Sequence, residues 1–208
     1  MYTPAHFRMP EADVAGFIER IGTGTLITTD PGTGRPHATF LPWAYLGDRL
    51  TTHIGLVNPQ AAHSGEALVI VMGENAYVSE RWLGPGAAPS WNYETVHLYG
   101  ELVIHRDPEW INQSFRDLIA RFSEKSLDSY DPDWLEKQTR ACVGAEVIIR
   151  EVEAKSKLSQ SSSELAVRTV ADQLEATCPG LAARMRDISL PHIAEREQRI
   201  RAAVPFRS

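Results

Sequence analysis

The stretch PSWNYETVHLYG, Pro89 to Gly100, decides the fold. It packs Trp91, Asn92, Tyr93, Thr95, His97 and Tyr99 into a segment that alternates like a strand and runs on to His105. Successive side chains of a strand point to opposite faces. With that period, Val96, Leu98, Leu102 and Ile104, interrupted by Gly100, form a core face. Tyr93, Thr95, His97, Tyr99, Glu101 and Val103 form the other. Such a face is either solvated or lines a ligand site or subunit interface, and two tyrosines with a histidine suit a flat, hydrogen-bonding ligand.

Working outward, more strands appear on both sides. GTLITTD (Gly24 to Asp30) runs into the turn PGTGR, then into PHATFLPWAYL (Pro36 to Leu46). A Gly-Asp turn joins this to RLTTHIG (Arg49 to Gly55), a hairpin signal. EALVIVMG (Glu66 to Gly73) is expected to turn at Gly-Glu-Asn before AYVSE (Ala76 to Glu80), and a last strand is expected from Gly144 to about Ala154. Helices are expected over Pro10 to Ile21, where Val14, Phe17, Ile18 and Ile21 make one stripe. Two more begin at DPEW and DPDW, where Asp caps and Pro takes the first helical position. Ser161 and Glu164 form a capping-box pattern ahead of a helix to about Leu174. About six strands joined mostly by short turns, with few strand–helix–strand crossovers, argue for a mainly β, antiparallel barrel with peripheral helices rather than a doubly wound parallel sheet. The expected organisation is a barrel domain over residues 1–160. A helical extension over residues 161–208 would pack on the barrel or on a partner subunit.

Composition narrows the function. The 208 residues carry a formal net charge of −6, which gives no general attraction to DNA phosphates. Cys142 and Cys178 lack metal-type spacing and are too few to staple a domain, so reduced thiols and a cytoplasmic location are expected. No signal-peptide pattern opens the chain, and the apolar run ALVIVM is much too short to span a bilayer. There is no Rossmann or P-loop glycine motif and no serine nucleophile elbow. His97 and His105 lie eight residues apart on one strand, roughly 26 Å at strand rise, so they cannot share a metal. His53 and His63 would meet only through the fold, and no metal site is expected.

Other strands carry hydrogen-bonding groups. In HATFLPW, His37, Thr39, Leu41 and Trp43 share a face; TTHIGLVNPQ ends a strand with Thr52 and His53 and continues to Asn58, Pro59 and Gln60. Lys155 and Lys157 in EAKSKLSQ share a face where a strand runs out. Two ammonium groups there repel unless solvent or an anion screens them. A solvated strand end and a phosphate site are both open.

The blocks MYTPAHF, HATFLP with THIGLVNPQ, AYVS with PSWNYETVHLYG, and EAKSKLSQ occur in order over residues 1–160. Together they resemble the PaiB-like family, the FMN-binding negative transcriptional regulators of bacteria. The resemblance implies a split β-barrel of the flavin reductase and pyridoxamine-phosphate oxidase type, with two subunits pairing and FMN at their interface. It implies that His37, Thr39, Leu41 and Pro42 run beside the isoalloxazine ring, and that Thr52, His53 and Asn58 lie towards the ribityl phosphate. Trp91, Asn92 and Tyr93 would close the site. Lys155, Lys157, Ser159 and Gln160 would complete it, with the two lysines an alternative source of phosphate affinity. Flavin-dependent redox activity, regulation without turnover and direct DNA binding stay open. Haem is the alternative cofactor, with His53, His97 or His105 as axial ligand.

Overall fold

The computed structural model describes residues 1–203; the last five residues of the expected extension lie outside them. The alternating stretch around Pro89 is part of a 16-residue strand, Ser90–His105. In chain order the strands are β1 (Thr23–Thr29), β2 (Pro36–Pro42), β3 (Ala44–Tyr45), β4 (Arg49–Gly55), β5 (Gly65–Val78), β6 (Ser90–His105) and β7 (Cys142–Lys157). They hydrogen-bond in the order β2-β1-β5-β6-β7-β4-β3. β1 pairs antiparallel with β2 and β5, and β4 with β3 and β7. The α-helices are α1 (Glu11–Ile21), α2 (Glu80–Leu83), α3 (Pro108–Phe122), α4 (Pro132–Ala141), α5 (Glu164–Leu174), α6 (Pro179–Arg184) and α7 (Leu190–Ala203). The expected mainly β, antiparallel split-barrel architecture with peripheral helices is the one adopted.

The structure corrects local expectations. The Gly-Glu-Asn segment is not a turn, because β5 continues through it to Val78. The polar groups that favour a turn are used elsewhere: Glu74 Oε2 accepts from the Leu181 amide at 2.8 Å, and Asn75 Oδ1 accepts from Trp91 Nε1 at 3.0 Å. The α5 cap is Ser163, whose Oγ accepts from the Ala166 amide at 3.2 Å, so the capping box at Ser161 does not form. The last strand begins at Cys142 and ends at Lys157, which places both lysines of the KSK segment in it.

The chain forms two compact units, with β5, β6 and β7 contributing residues to each. The first holds residues 11–72 and 96–153. Its sheet buries Leu26, Leu50, Val69, Leu98, Leu102 and Val147, each worth about 1.5–3 kcal/mol of burial. Trp43 is buried and donates Nε1–H to the Gly24 carbonyl at 3.2 Å. Ile111 and Phe115 of α3 cluster with Leu127, backed by Leu135 of α4. The break in the β6 core face at Gly100 has a steric cause: a Cβ there would collide with the Ile148 backbone carbonyl.

Among the described residues, the second unit holds 1–10, 73–95 and 154–203. Ala76, Val78 and Leu158 meet the apolar stripe of α5 (Val167, Val170, Ala171, Leu174) together with Leu181, Met185 and Ile193. Ile193 and Ile200, the apolar pair of the tail, part company: Ile193 is buried and Ile200 exposed. A π-helical segment, Met185–Ser189, links α6 to α7, and Ser189 Oγ donates to the Leu158 carbonyl at 2.7 Å.

Gly100→Ala is expected to destabilise by about 2–3 kcal/mol or more, because the overlapped atom is backbone and cannot move aside as a side chain would. Gly16→Ala, in α1 with nothing near its would-be Cβ, is expected to be neutral or stabilising by up to about 1 kcal/mol. Urea denaturation of both variants is the check.

Candidate functional site

Two polar clusters hold the residues that the motifs single out, one in each unit. In the first unit, Asn58 caps the 3-10 turn Pro59–Ala62 by accepting from the Gln60 amide at 2.9 Å. Gln60 has no exposed surface. Its Nε2 donates to Thr28 Oγ1 at 2.9 Å and to the Leu26 carbonyl at 3.3 Å, and its Oε1 accepts from Thr39 Oγ1 at 2.5 Å. Asn58 Nδ2 donates to Thr39 Oγ1 at 3.0 Å. Thr39 and Asn58 are therefore together, and much of their bonding capacity fastens the turn to the β1–β2 hairpin.

The remaining residues expected here are divided by strand alternation. His37, Thr39 and Leu41 point to one face of β2, with Leu41 buried; Pro42 points to the other, beside exposed Ala38 and Phe40. Thr52 and His53 are neighbours on β4 and so face opposite ways. Thr52 is buried without exposure, while His53 packs edge-on against Phe115, ring centroids 4.5 Å apart. Among the described residues, Thr51 Oγ1, Thr52 Oγ1 and His53 Nδ1 are buried without a hydrogen-bond partner. His53 lines an apolar cavity of about 240 Å³ with Phe115, Tyr130, Trp134 and Cys142. Burial pushes the His53 imidazole below its ordinary value and does the same to His97. His105 is committed to Glu146, Nε2 to Oε2 at 2.8 Å, and stacks on Trp110.

In the second unit, β6 and β7 bring Asn92, Lys157 and Ser159 to one cavity of about 470 Å³. The loop at residues 85–88, Ser90 and the serines at 161–163 complete its wall. Lys157 Nζ donates to Ser90 Oγ at 2.6 Å and to the Trp91 carbonyl at 2.7 Å, which leaves the third ammonium proton for another acceptor. Burial holds this ammonium below the ordinary lysine value, opposed by Tyr93 and reinforced by Lys155. Ser159 adopts a left-handed φ of 66°. Its hydroxyl donates to Asn92 Oδ1 at 3.1 Å and accepts from Asn92 Nδ2 at 3.0 Å. The cavity wall runs into the start of α5 at Ser163, where the first backbone N–H groups of a helix lack partners within it.

The other residues of this block take different places. Asn92 lies on the buried face of β6 and Tyr93 on the half-buried one. Lys155 is buried, donates to the Tyr2 carbonyl at 3.2 Å and sits 5.4 Å over the Tyr93 ring. Gln160 is a structural lock: Oε1 accepts from the Leu158 amide at 2.7 Å and Nε2 donates to the Ser156 carbonyl at 2.5 Å. Trp91 is half-exposed, its Nε1–H held by Asn75. Motif reading missed Glu94. It is buried beside Asn92 and binds Arg184 (Nε to Oε2, 3.1 Å) and Ser156 (2.7 Å). Its place on the core face, continuing Val96 and Leu98 at period two, was the available signal.

A hydroxyl-rich cavity with a lysine ammonium and a helix start fits an anionic, phosphate-bearing ligand, and its size falls in the range of small-molecule sites. The fold is that of an antiparallel split-barrel protein. The chain belongs to the family whose model is described as "Putative FMN-binding domain", which matches residues 1–151; the PaiB-like resemblance of the motifs is borne out. Over 188 residues it is 28% identical to "Protease synthase and sporulation protein PAI 2" of Bacillus subtilis (strain 168), covering 84% of this chain and 89% of that protein. Among solved structures it is similar to a conserved hypothetical protein of Mycobacterium tuberculosis (TM-score 0.58, 17% identity, 79% of this chain and 95% of that one). It is also similar to an FAD- and haem-binding protein of Mycobacterium smegmatis (0.58, 18%, 71% and 71%). A flavocytochrome of Azotobacter vinelandii gives 0.59 at 17% identity, covering 72% and 68%. At these identities the structural likeness shows the fold.

Two outcomes follow for stability. Arg184→Met alone is expected to cost about 3–5 kcal/mol, because it strands the buried Glu94 carboxylate, whereas Glu94→Gln, beside the more exposed Arg184, is expected to cost less. The double variant is expected to recover part of that loss, measured as a double-mutant cycle in urea. For His53 the folded state disfavours the protonated ring, so below about pH 6.5 the unfolded chain takes up the proton more readily. Stability is expected to be fully present above that pH and to decline as pH falls towards the depressed folded value, with His53→Phe giving a shallower slope.

Proposed function

We propose that the chain binds FMN, with its phosphate in the cavity of Lys157, Ser159 and Asn92. The observation that carries this reading is the Lys157 ammonium, fixed by Ser90 and the Trp91 carbonyl on the wall of a serine-rich cavity that opens at the start of α5. The phosphate end is assigned here rather than to Thr52 and His53, since Thr52 is fully buried and His53 faces an apolar cavity. Lys157 would supply charge, the hydroxyls of the serines at 161–163 would donate to the phosphate oxygens, and Asn92 would hold Ser159 in its left-handed conformation. FMN, when bound, supplies hydride or electron transfer; the protein supplies binding, orientation and electrostatics.

The cavity also favours flavin over haem. It offers hydroxyls and an ammonium, not an imidazole, whereas His105 is held by Glu146 and His53 sits behind Phe115. We further propose a cytoplasmic homodimer with the flavin at the subunit interface. Phe40, 70% exposed on edge strand β2, and Trp91, 49% exposed, are large apolar side chains left without cover, as surfaces that meet a partner are. No helix among the described residues is long and apolar enough to cross a membrane. The net charge of −6 supports regulation through a flavin-dependent state or a protein partner ahead of direct DNA binding.

The purified protein is expected to carry a flavin absorbance spectrum, or to quench FMN fluorescence on titration with a rise in melting temperature. Lys157→Met is expected to weaken FMN at least tenfold while leaving riboflavin, which lacks the phosphate, little changed. A colourless protein indifferent to added FMN defeats the cofactor assignment; equal losses for FMN and riboflavin defeat the phosphate assignment alone.

A further inference from the structure

Asp30, His37 and His63 come from separate segments, yet they meet at the turn end of the β1–β2 hairpin. Each offers one ligand atom, and the three atoms lie within 4.8 Å of one another. Asp30 follows the last residue of β1, His37 is the second residue of β2 and lies opposite Thr28 in the ladder, and His63 follows the turn that Asn58 caps.

Two of the three are oriented by contacts outside the trio. Asp30 Oδ1 is fully engaged: it accepts from the Gly32 amide at 2.9 Å, the Thr33 amide at 2.7 Å and Thr33 Oγ1 at 2.9 Å. That leaves Oδ2 to face His63 Nε2 across 3.8 Å. His63 is 4% exposed, and its Nδ1 lies 2.7 Å from Thr28 Oγ1. Thr28 Oγ1 already accepts from the buried Gln60 amide at 2.9 Å, and it can accept a second hydrogen bond from His63 Nδ1–H. That tautomer turns the Nε2 lone pair towards Asp30 Oδ2. Holding a ligand imidazole through its other ring nitrogen is how proteins fix the tautomer of metal-bound histidine. The His37 ring stands edge-on to His63, centroids 5.2 Å apart at 87°.

The 3.8 Å separation is too long for an N–H···O hydrogen bond. It is close to the spacing of about 3.4 Å set by a tetrahedral ion with bonds of about 2.1 Å to each ligand. The Asp30 carboxylate brings the negative charge that a cation site needs. Two imidazoles with one carboxylate suit first-row transition ions; magnesium and calcium take all-oxygen shells.

We propose that Asp30, His37 and His63 form a binding site for one divalent transition-metal ion, with zinc the ion best matched to a three-ligand N₂O set and its open coordination positions filled by water. The site goes beyond flavin binding and uses none of the residues of the Lys157 cavity. No motif spacing announces it, because residues 30, 37 and 63 are joined only by the hairpin and by the anchored turn.

Full-length protein stripped with a chelator and then dialysed free of it is titrated with Zn²⁺ by calorimetry and with Co²⁺ by visible absorption. The expected result is one ion per chain, Co²⁺ d–d bands without a sulfur charge-transfer band, and a higher melting temperature with Zn²⁺. Asp30→Asn and His37→Ala, both at partly exposed positions, are each expected to weaken Zn²⁺ at least tenfold; His6→Ala serves as a surface-histidine control with affinity unchanged. Circular dichroism of the metal-free variants checks that they fold. The proposal is overturned by no saturable binding, by sulfur ligation of Co²⁺, or by wild-type affinity in folded Asp30→Asn and His37→Ala. FMN titration with chelator present tests the flavin reading separately.

Discussion

A buried side-chain amide must find its partners inside the protein, because no water is there to replace them. Gln60 meets that demand with β1 and β2 at once, through Leu26, Thr28 and Thr39. The hairpin edge and the turn after β4 are thereby fixed to each other. Asn58 depends on this arrangement for its place, and His63 for its orientation. Replacing Gln60 with an apolar residue would leave Thr28 and the Leu26 carbonyl short of a donor and would loosen the whole corner. A residue first noticed as a bystander in an NPQ motif turns out to be the keystone of that corner.

The fold was legible because its signals are periodic. Val96, Leu98 and Leu102 declare the core face of β6 from sequence alone, and the Asp-Pro starts of α3 and α4 cap as expected through Asp107 and Asp131. Misreadings came where side chains were spoken for at a distance. Glu74 and Asn75 look like turn formers until Leu181 and Trp91 are seen to occupy them. Ser161 and Ser163 are equivalent cap candidates in sequence; only geometry chooses between them.

The candidate site was half legible for a related reason. A motif is a string, whereas a strand deals its side chains alternately to two faces. Asn92 and Tyr93, Thr52 and His53, and Leu41 and Pro42 are adjacent in their motifs and opposed in space. Such pairs mix ligand-facing and structural roles, as Gln160 shows: it belongs to the KLSQ block yet serves to close the turn after β7. Asp30, His37 and His63 show the converse, residues of no common motif made neighbours by a hairpin.

Ser159 carries a consequence for how this surface can change over time. A left-handed backbone costs a residue with a Cβ on the order of 1–2 kcal/mol, and here the reciprocal bonding with Asn92 offsets it. Glycine would relax the backbone but abandon the hydroxyl; asparagine or aspartate would tolerate the conformation but replace the hydroxyl that pairs with Asn92. Nearly every single-step replacement is thus penalised through either the chain or the contact. A change at this wall of the cavity is therefore tolerated best when positions 92 and 159 change together.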